Sequence, residues 1–333
     1  MIIDNNYDGA SIDVLKKDDI NNYAVLSPKK EKDKYSNYFN FKVLNTKNIE
    51  GKIHIKNLNK LMYKNQIPNI YFKKNNEYEL IDKERITVKE NEITIKIHKN
   101  ETIEITSYPR YILNDFNDFI SKIDNKNIYY TNEIIPLIIA GRQNDNTIVI
   151  TARQHPGETL SSYFIEGIIE SIIDDPKIIK DNKIIIFPIV NTKGVKNGNH
   201  RYIDGIDYNR SWNTNKIKEI DYIKKIIDEN NIRLFIDVHC DEITKQDYIR
   251  SNKGHFKTLG GIMVLEDQSK LIRFLRALIK QRKIINLSSQ TAREYISKKY
   301  KCESMLVELS LKEINKEKRI KQGRSFIKEI IKK

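Results

Sequence analysis

Two cysteines, Cys240 and Cys302, are all that the 333 residues contain, and they form no framework spacing. A chain so poor in thiols needs no disulfides and suits a reducing compartment. Also missing is any apolar run approaching the roughly 18 residues of a membrane span. The opening Met1-Ile-Ile-Asp-Asn-Asn-Tyr-Asp has no basic stretch followed by an apolar one, so no signal peptide is expected. A soluble cytoplasmic protein is the expectation. Nucleic-acid-binding motifs are absent as well, although 59 basic against 45 acidic residues give a net charge of +14. Lysine is spread along the whole chain, so the excess reads as a solvated surface rather than a binding stripe. Attraction of acidic peptides is the functional alternative. Neither nucleic acid nor membrane is expected as a partner.

What is present suffices for buried cores: 39% of residues are hydrophobic, and the length allows two domains. Lys, Ile and Asn recur throughout as a compositional bias, without internal repeats. Residues 1 to about 110 read as β structure. Apolar and polar residues alternate over Tyr38–Leu44, Lys52–Ile55, Ile86–Val88, Ile93–Ile97 and Ile103–Ile105, with Asn- and Lys-rich turns between. Short strands at this spacing predict a small all-β sandwich that supports the rest. A helix over Leu113–Ile123 leads into a second domain, 111–333, where strands alternate with helices. Near-continuous apolar runs predict buried strands at Ile134–Ala140, Thr147–Arg153, Lys183–Val190, Arg233–His239, Gly261–Leu265 and Met305–Leu309. Leu160, Phe164, Ile168 and Ile172 form a helical stripe. Further helices are expected at Lys216–Asp228, Gln268–Arg282, Ser288–Lys298 and in the basic tail from Leu311, whose Ile314, Ile320, Phe326 and Ile330 offer a docking face. The alternation predicts a mixed-sheet α/β/α domain.

His155-Pro156-Gly157-Glu158 lies at a strand-to-helix junction. Imidazole nitrogen and carboxylate oxygen are good zinc ligands, and hydrolytic sites often combine two His with one Glu, keeping a fourth position for water. Alone, the pair reads first as a surface His before a helix-capping Glu. Three later segments change the balance. One runs Pro188-Ile-Val-Asn191-Thr-Lys-Gly194, continues through Gly198-Asn-His-Arg201 and ends in Gly205-Ile-Asp207-Tyr-Asn209-Arg210-Ser-Trp212. The others are Asp237-Val-His239-Cys-Asp241-Glu242 and Met305-Leu-Val-Glu308-Leu-Ser310. His239 closes an apolar strand at the sheet edge where α/β proteins bind ligands. Asp237 lies on its face, and Asp237 or Asp241 is a candidate to orient a ligand imidazole. Glu308 interrupts an apolar strand, which is costly unless the carboxylate is paired or functional.

These segments, in this order, resemble the zinc carboxypeptidases of the carboxypeptidase A superfamily, and more narrowly the cytosolic carboxypeptidases. Asn6-Tyr-Asp-Gly9-Ala, Tyr38-Phe-Asn-Phe41 and Ile55-Lys-Asn57 extend the resemblance into the β region. It implies one zinc ion on His155, Glu158 and His239, with Glu308 as general base and acid and Arg201 stabilising the oxyanion. Asn209 and Arg210 would clamp the terminal carboxylate of a peptide or protein substrate, because a guanidinium fork fits a carboxylate. Arg293, 15 residues before Glu308, resembles the family's arginine for an acidic terminal side chain; a helix-surface arginine is the equal alternative. Departures are Thr192-Lys193 in place of Pro-Asp, and Cys240 in place of a glycine. The substrate-covering tyrosine has no assigned counterpart, with Tyr295 and Tyr300 as candidates. A same-fold hydrolase of acyl amino acids or cell-wall peptides, and an inactive peptide-binding module, remain rival readings.

Overall fold

Period-two alternation builds the first unit of the chain. Phe41 and Val43, Ile53 and Ile55, Ile93, Ile95 and Ile97, and Ile103 and Ile105 are all buried, as strands with one face on a core require. The computed structural model describes every residue except 33, 59–68, 75–76, 124–126, 143–145, 215, 243, 253–256, 267–289, 313 and 333. One five-stranded antiparallel sheet has the order Ile2–Asp4, Asn40–Leu44, Thr102–Thr106, Tyr71–Lys74, Glu77–Leu80. A second has the order Ile86–Lys89, Glu92–Ile97, Gly51–Ile55, Tyr23–Ser27, Asp13–Asp18, with one parallel pairing between the third and fourth. Side chains of both sheets share one apolar cluster, which makes the unit a sandwich. The sequence pattern misses Asp13–Asp18 and Glu77–Leu80 because these edge strands bury almost nothing on either face.

Contacts divide the chain at Asp115 rather than at one boundary near 110. They assign Met1–Asp115 and Thr192–Gly205 to the first unit, and Phe116–Asn191 and Ile206–Lys333 to the second. The excursion 192–205, read from sequence as part of the second domain, therefore packs with the sandwich.

The second unit is organised by a nine-stranded mixed sheet. Its strands, in chain order, are β1 (Ile128–Thr131), β2 (Leu137–Ala140), β3 (Thr147–Ala152), β4 (Lys183–Phe187), β5 (Ile232–Asp241), β6 (Tyr248–Ser251), β7 (Thr258–Leu259), β8 (Ile262–Glu266) and β9 (Glu303–Ser310). Their spatial order is β1-β2-β4-β3-β5-β9-β6-β8-β7, and β4, β3, β5 and β9 run parallel. β4 ends at Phe187, short of the expected Val190, because Pro188 has no amide to donate. Besides Leu113–Ser121, where a helix was expected, the helices among the described residues of this unit include α1 (Leu160–Asp174), α2 (Lys218–Asp228), α3 (Ala292–Tyr300) and α4 (Lys316–Ile330). A capping box, Thr291 with Glu294, starts α3. The expected helix Gln268–Arg282 falls outside the described residues.

The chain leaves β3 to form β4 on one side and then returns to form β5 on the other. That reversal puts the crevice of a topological switch between the carboxyl ends of β3 and β5. Behind β9, the α4 residue Arg319 forks onto Asp247 Oδ2 at 2.6 Å and the Ser310 carbonyl at 2.9 Å. The Ser310 amide in turn donates to Asp247 Oδ1 at 2.8 Å. Burial works against the Asp247 charge, but Arg319 and Gln322 hold the carboxyl below its ordinary range. The end of the strand that carries Glu308 is thereby fixed.

The basic tail docks on α1, though not through the face expected from sequence. Phe326 and Ile330 are buried, whereas Ile314 and Ile320 stay partly exposed. Two glycines make the contact: a Cβ on Gly167 would lie 2.0 Å from the Ile320 carbonyl oxygen, and one on Gly323 would lie 2.0 Å from that of Phe164. Backbone meets backbone, so no side chain fits. Gly323→Ala should destabilise the protein by about 1–3 kcal/mol or more, as overpacking does. In urea unfolding this appears as a lower midpoint at unchanged slope; an unchanged midpoint would refute the close crossing.

Candidate active site

The His155–Glu158 turn begins beside His239, because Ala152 at the end of β3 pairs with Val238 in β5. Arg153 then turns the chain with a φ of +58°, rare for a residue with a side chain. Its buried guanidinium stabilises the turn by donating to the Pro156 carbonyl at 3.0 Å and to Ser162 Oγ at 2.8 Å. His155 and Glu158 are thus presented from one side of the crevice and His239 from the other.

The three side chains converge. One ligand atom from each of His155, Glu158 and His239 lies within 4.8 Å of the other two, and all three residues are buried. His155 Nδ1 is 2.6 Å from Glu158 Oε1, and His239 Nδ1 is 2.8 Å from Glu158 Oε2. The opposite nitrogens have their own carboxylates: His155 Nε2 lies 3.2 Å from Asp207 Oδ1, and His239 Nε2 lies 2.9 Å from Asp237 Oδ2. Each ring is therefore oriented with Nδ1 toward the shared centre, as carboxylate–histidine pairs orient metal ligands. A compact N, N, O donor set with both outer nitrogens tied fits a zinc ion.

Of the two acidic candidates for orienting His239, Asp237 takes that place. Asp241 instead accepts from Thr244 Oγ1 at 2.8 Å. Asp237 is held by Thr151 Oγ1 at 2.8 Å and by Gln154 Nε2 at 2.7 and 2.8 Å, while Trp212 Nε1 donates to Gln154 Oε1 at 2.7 Å. Sequence reasoning gave Asp207, Thr151 and Gln154 no role. For Asp207 a signal existed, a carboxylate two residues before Asn209 in a loop otherwise assigned to substrate; Thr151 and Gln154 carry no sequence signal.

Glu308 stands directly opposite His239 in the β5–β9 register. Parallel strands in register send both side chains to one face. Burial raises the Glu308 carboxyl, His239 opposes this, and the charges of Glu158, Asp241 and Asp237 add to it, leaving it pushed up to about 8. On its other flank Glu308 faces Tyr248 of β6, a neighbour that the sequence did not indicate. Tyr295 instead packs on Trp212, with ring centroids 6.4 Å apart, and Tyr300 hydrogen-bonds Asp228 at 2.5 Å. The Cys240 thiol contacts the Glu158 carbonyl at 3.5 Å, and burial pushes it well above the ordinary thiol range, so it fills space as a neutral group.

Asn209 Nδ2 lies 3.2 Å from His239 Nε2, and Asn209 Oδ1 accepts from the Ala292 amide at 2.9 Å. The cluster is thereby tied to the start of α3, where Arg293 is buried. Arg210 follows Asn209, and its Nη1 is buried with no hydrogen-bond partner among the described residues. A buried cationic donor left in that state needs an anion. Arg201 belongs to the excursion that packs with the first unit.

Parts of the chain, and its fold, resemble known proteins. Residues 3–108 match the family described as the cytosolic carboxypeptidase N-terminal domain. Cytosolic carboxypeptidase 3 of Bos taurus is 29% identical over 125 residues, 34% of this chain and 12% of the relative. Cytosolic carboxypeptidase 4 of Homo sapiens is 45% identical over 69 residues, 19% of this chain and 6% of the relative. The chain thus spans only a small part of these relatives' own lengths. Among solved structures, the metallo-carboxypeptidase from Burkholderia cenocepacia superposes with a TM-score of 0.78 at 17% identity, covering 99% of this chain and 97% of that one. The metallo-carboxypeptidase from Pseudomonas aeruginosa, solved in complex with (2-guanidinoethylmercapto)succinic acid, gives 0.75 at 15% identity, covering 99% and 98%. The fold is therefore that of the metallo-carboxypeptidases, a mixed α/β domain following an all-β one. Its sequence likenesses to the cytosolic carboxypeptidases lie in residues 3–108 and in shorter stretches.

The charges of the cluster set its response to pH. For His239, burial disfavours the charge, but Asp237 and Glu158 outweigh it and hold the imidazole pKa well above its ordinary value. A raised folded-state pKa contributes stability that is present below the unfolded value, about 6.5 for His, and is lost as pH rises through the folded value. Glu308 has the same sign, losing its contribution between its ordinary value near 4.5 and about 8. In a chelator the protein should melt at a lower temperature at pH 8.5 than at pH 6. Saturating zinc should reverse the order, because the metal replaces a proton whose loss then favours binding. Thermal denaturation at both pH values, with EDTA and with zinc, checks this; parallel shifts in the two media would refute it.

Proposed function

We propose that this chain is a zinc-dependent carboxypeptidase that removes C-terminal residues, acidic ones by preference, from peptides or proteins. The observation that carries the reading is the unpartnered Arg210 Nη1 one residue from Asn209, which contacts the His155–Glu158–His239 cluster through His239. A site for an anion and a site for a metal are adjacent in the chain. When bound by those three residues, zinc would polarise the scissile carbonyl and acidify water toward a pKa of ~7.

The chain's own groups do the remaining work. Asn209 and Arg210 hold the substrate's terminal carboxylate and so fix which bond is presented. Glu308, opposite His239 across β5 and β9, takes a proton from the attacking water and delivers it to the departing amine. Arg201 offsets the charge that develops on the carbonyl oxygen. Arg293, buried next to the Ala292 amide that engages Asn209, pairs with a terminal Glu or Asp side chain. The net charge of +14 draws such anionic substrates toward the protein. Among the described residues no helix is long and apolar enough to cross a membrane.

The test is to incubate the zinc-loaded protein with peptides ending in Glu, Lys or Phe and to record product masses. Stepwise loss of single C-terminal residues, stopped by a chelator, is expected; cleavage confined to N-acyl amino acids would point to a different hydrolase. Glu308→Gln should keep its zinc while losing about 10²–10⁴-fold in kcat, the range for a general acid–base group. Arg293→Ala should narrow the advantage of acidic over neutral termini, and an unaltered ratio would remove that residue from the specificity pocket.

A further inference from the structure

The segment carrying Arg201 owes its shape to the sandwich. The chain leaves the second unit after Asn191, whose amide donates to the Arg153 carbonyl at 3.1 Å. It re-enters that unit just before Asp207, which holds His155. Gly198, with a φ of +68°, lies against the backbone of Ala10, where a Cβ would come within 2.1 Å of the carbonyl oxygen. The Gly9 amide donates to the Lys196 carbonyl at 2.8 Å. Lys29 Nζ bridges the Asn197 and Ala10 carbonyls at 2.7 and 2.9 Å.

One carboxylate closes the arrangement. Glu31, buried in the short strand Lys30–Glu31, accepts from three successive backbone amides. His200 donates to its Oε1, while Arg201 and Tyr202 donate to Oε2 at 2.8 and 2.9 Å. Asn199 Nδ2 reaches Oε1 at 3.5 Å. Consecutive amides pointing into one concavity form a nest for an anion, and here the anion is a side chain of the same unit. Only an acceptor-only group serves all these donors; a carboxamide would turn an N–H toward at least one of them. The backbone of Arg201 is therefore fixed at its own amide and at both neighbours. Its guanidinium lies over the Tyr202 ring at 5.7 Å, and Lys32, next to Glu31, lies over the same ring at 4.3 Å.

We propose that Glu31 is the positioning residue for Arg201, because it fixes the backbone that carries this guanidinium. This rests on the carboxypeptidase reading, in which Arg201 acts on the carbonyl oxygen. Glu31 touches no substrate, and its effect passes through the backbone at 200–202.

The experiment is a double-mutant cycle on the zinc-loaded full chain, combining Glu31→Gln with Arg201→Ala. Glu31→Gln alone is expected to lower kcat by up to about 10²-fold, the scale of a misplaced catalytic group, with KM and zinc stoichiometry unchanged. Once Arg201 is alanine, the Glu31 change should cost nothing further, because a positioning residue has nothing left to position. Glu31→Asp, which keeps the charge, should recover part of the rate and serves if the glutamine variant does not fold. Additive losses, or a fall in kcat that only tracks a fall in thermal stability, would overturn the assignment. Hydrogen exchange gives a readout independent of turnover: the amides of 200–202 should exchange faster in Glu31→Gln while those of β5 stay protected. Equal protection would also overturn it. If the unmodified chain released no amino acids, the carboxypeptidase reading would fall, and the catalytic role of Glu31 with it; normal turnover with an additive cycle removes Glu31 alone.

Discussion

A single buried carboxylate shared by two imidazoles organises this protein. Glu158 is removed from water, which by itself would favour its neutral form. The two imidazoles reverse that preference and hold the carboxyl below its ordinary range. Such an arrangement persists only if both rings are prevented from turning away. Asp207 and Asp237 do this by engaging the outer nitrogens, and Asp237 is itself satisfied by Thr151 and Gln154. A buried network of this kind is stable when every member is paired and costly when one is not. That explains why the polar chain extends back as far as the Trp212 indole.

The backbone makes the convergence possible. Parallel pairing of β3 with β5, and of β5 with β9, aligns the end of β3 with Val238 and puts Glu308 opposite His239. The chain reversal around β3 leaves the crevice open where these strands end. Arg153, strained but fully bonded, bends the chain there so that His155 and Glu158 face the same point. Behind the strands, the Arg319–Asp247 pair and the glycine crossing of α1 and α4 keep β9 in register, so that Glu308 is not free to slide. Chemistry at the crevice depends on packing well away from it.

The sandwich enters the same argument through the excursion 192–205. A glycine, a lysine and a glutamate of that unit meet the backbone between Lys196 and Tyr202. One side chain of that unit, Glu31, determines a loop conformation. Here that conformation belongs to the segment bearing Arg201.

The motif residues His155, Glu158, His239 and Glu308 were legible from the chain alone, because metal and proton chemistry admits few side chains and the motifs keep their order. Buried strands were legible too, since strands covered on both faces read as apolar runs; the runs Lys183–Val190 and Arg233–His239 located the strands Lys183–Phe187 and Ile232–Asp241. What the chain could not disclose was pairing between distant positions. Whether Asp237 or Asp241 orients His239, that Asp207 holds His155, and that Tyr248 flanks Glu308 depend on register and on side-chain direction. Glu31 lies in the lysine-rich run Lys29-Lys30-Glu31-Lys32 and looks like solvated surface. Only folding brings it to amides about 170 residues away. Local patterning encodes which face of an element is buried. Which two faces then meet is decided by the packing of the whole chain, and there the partners of the candidate site were determined.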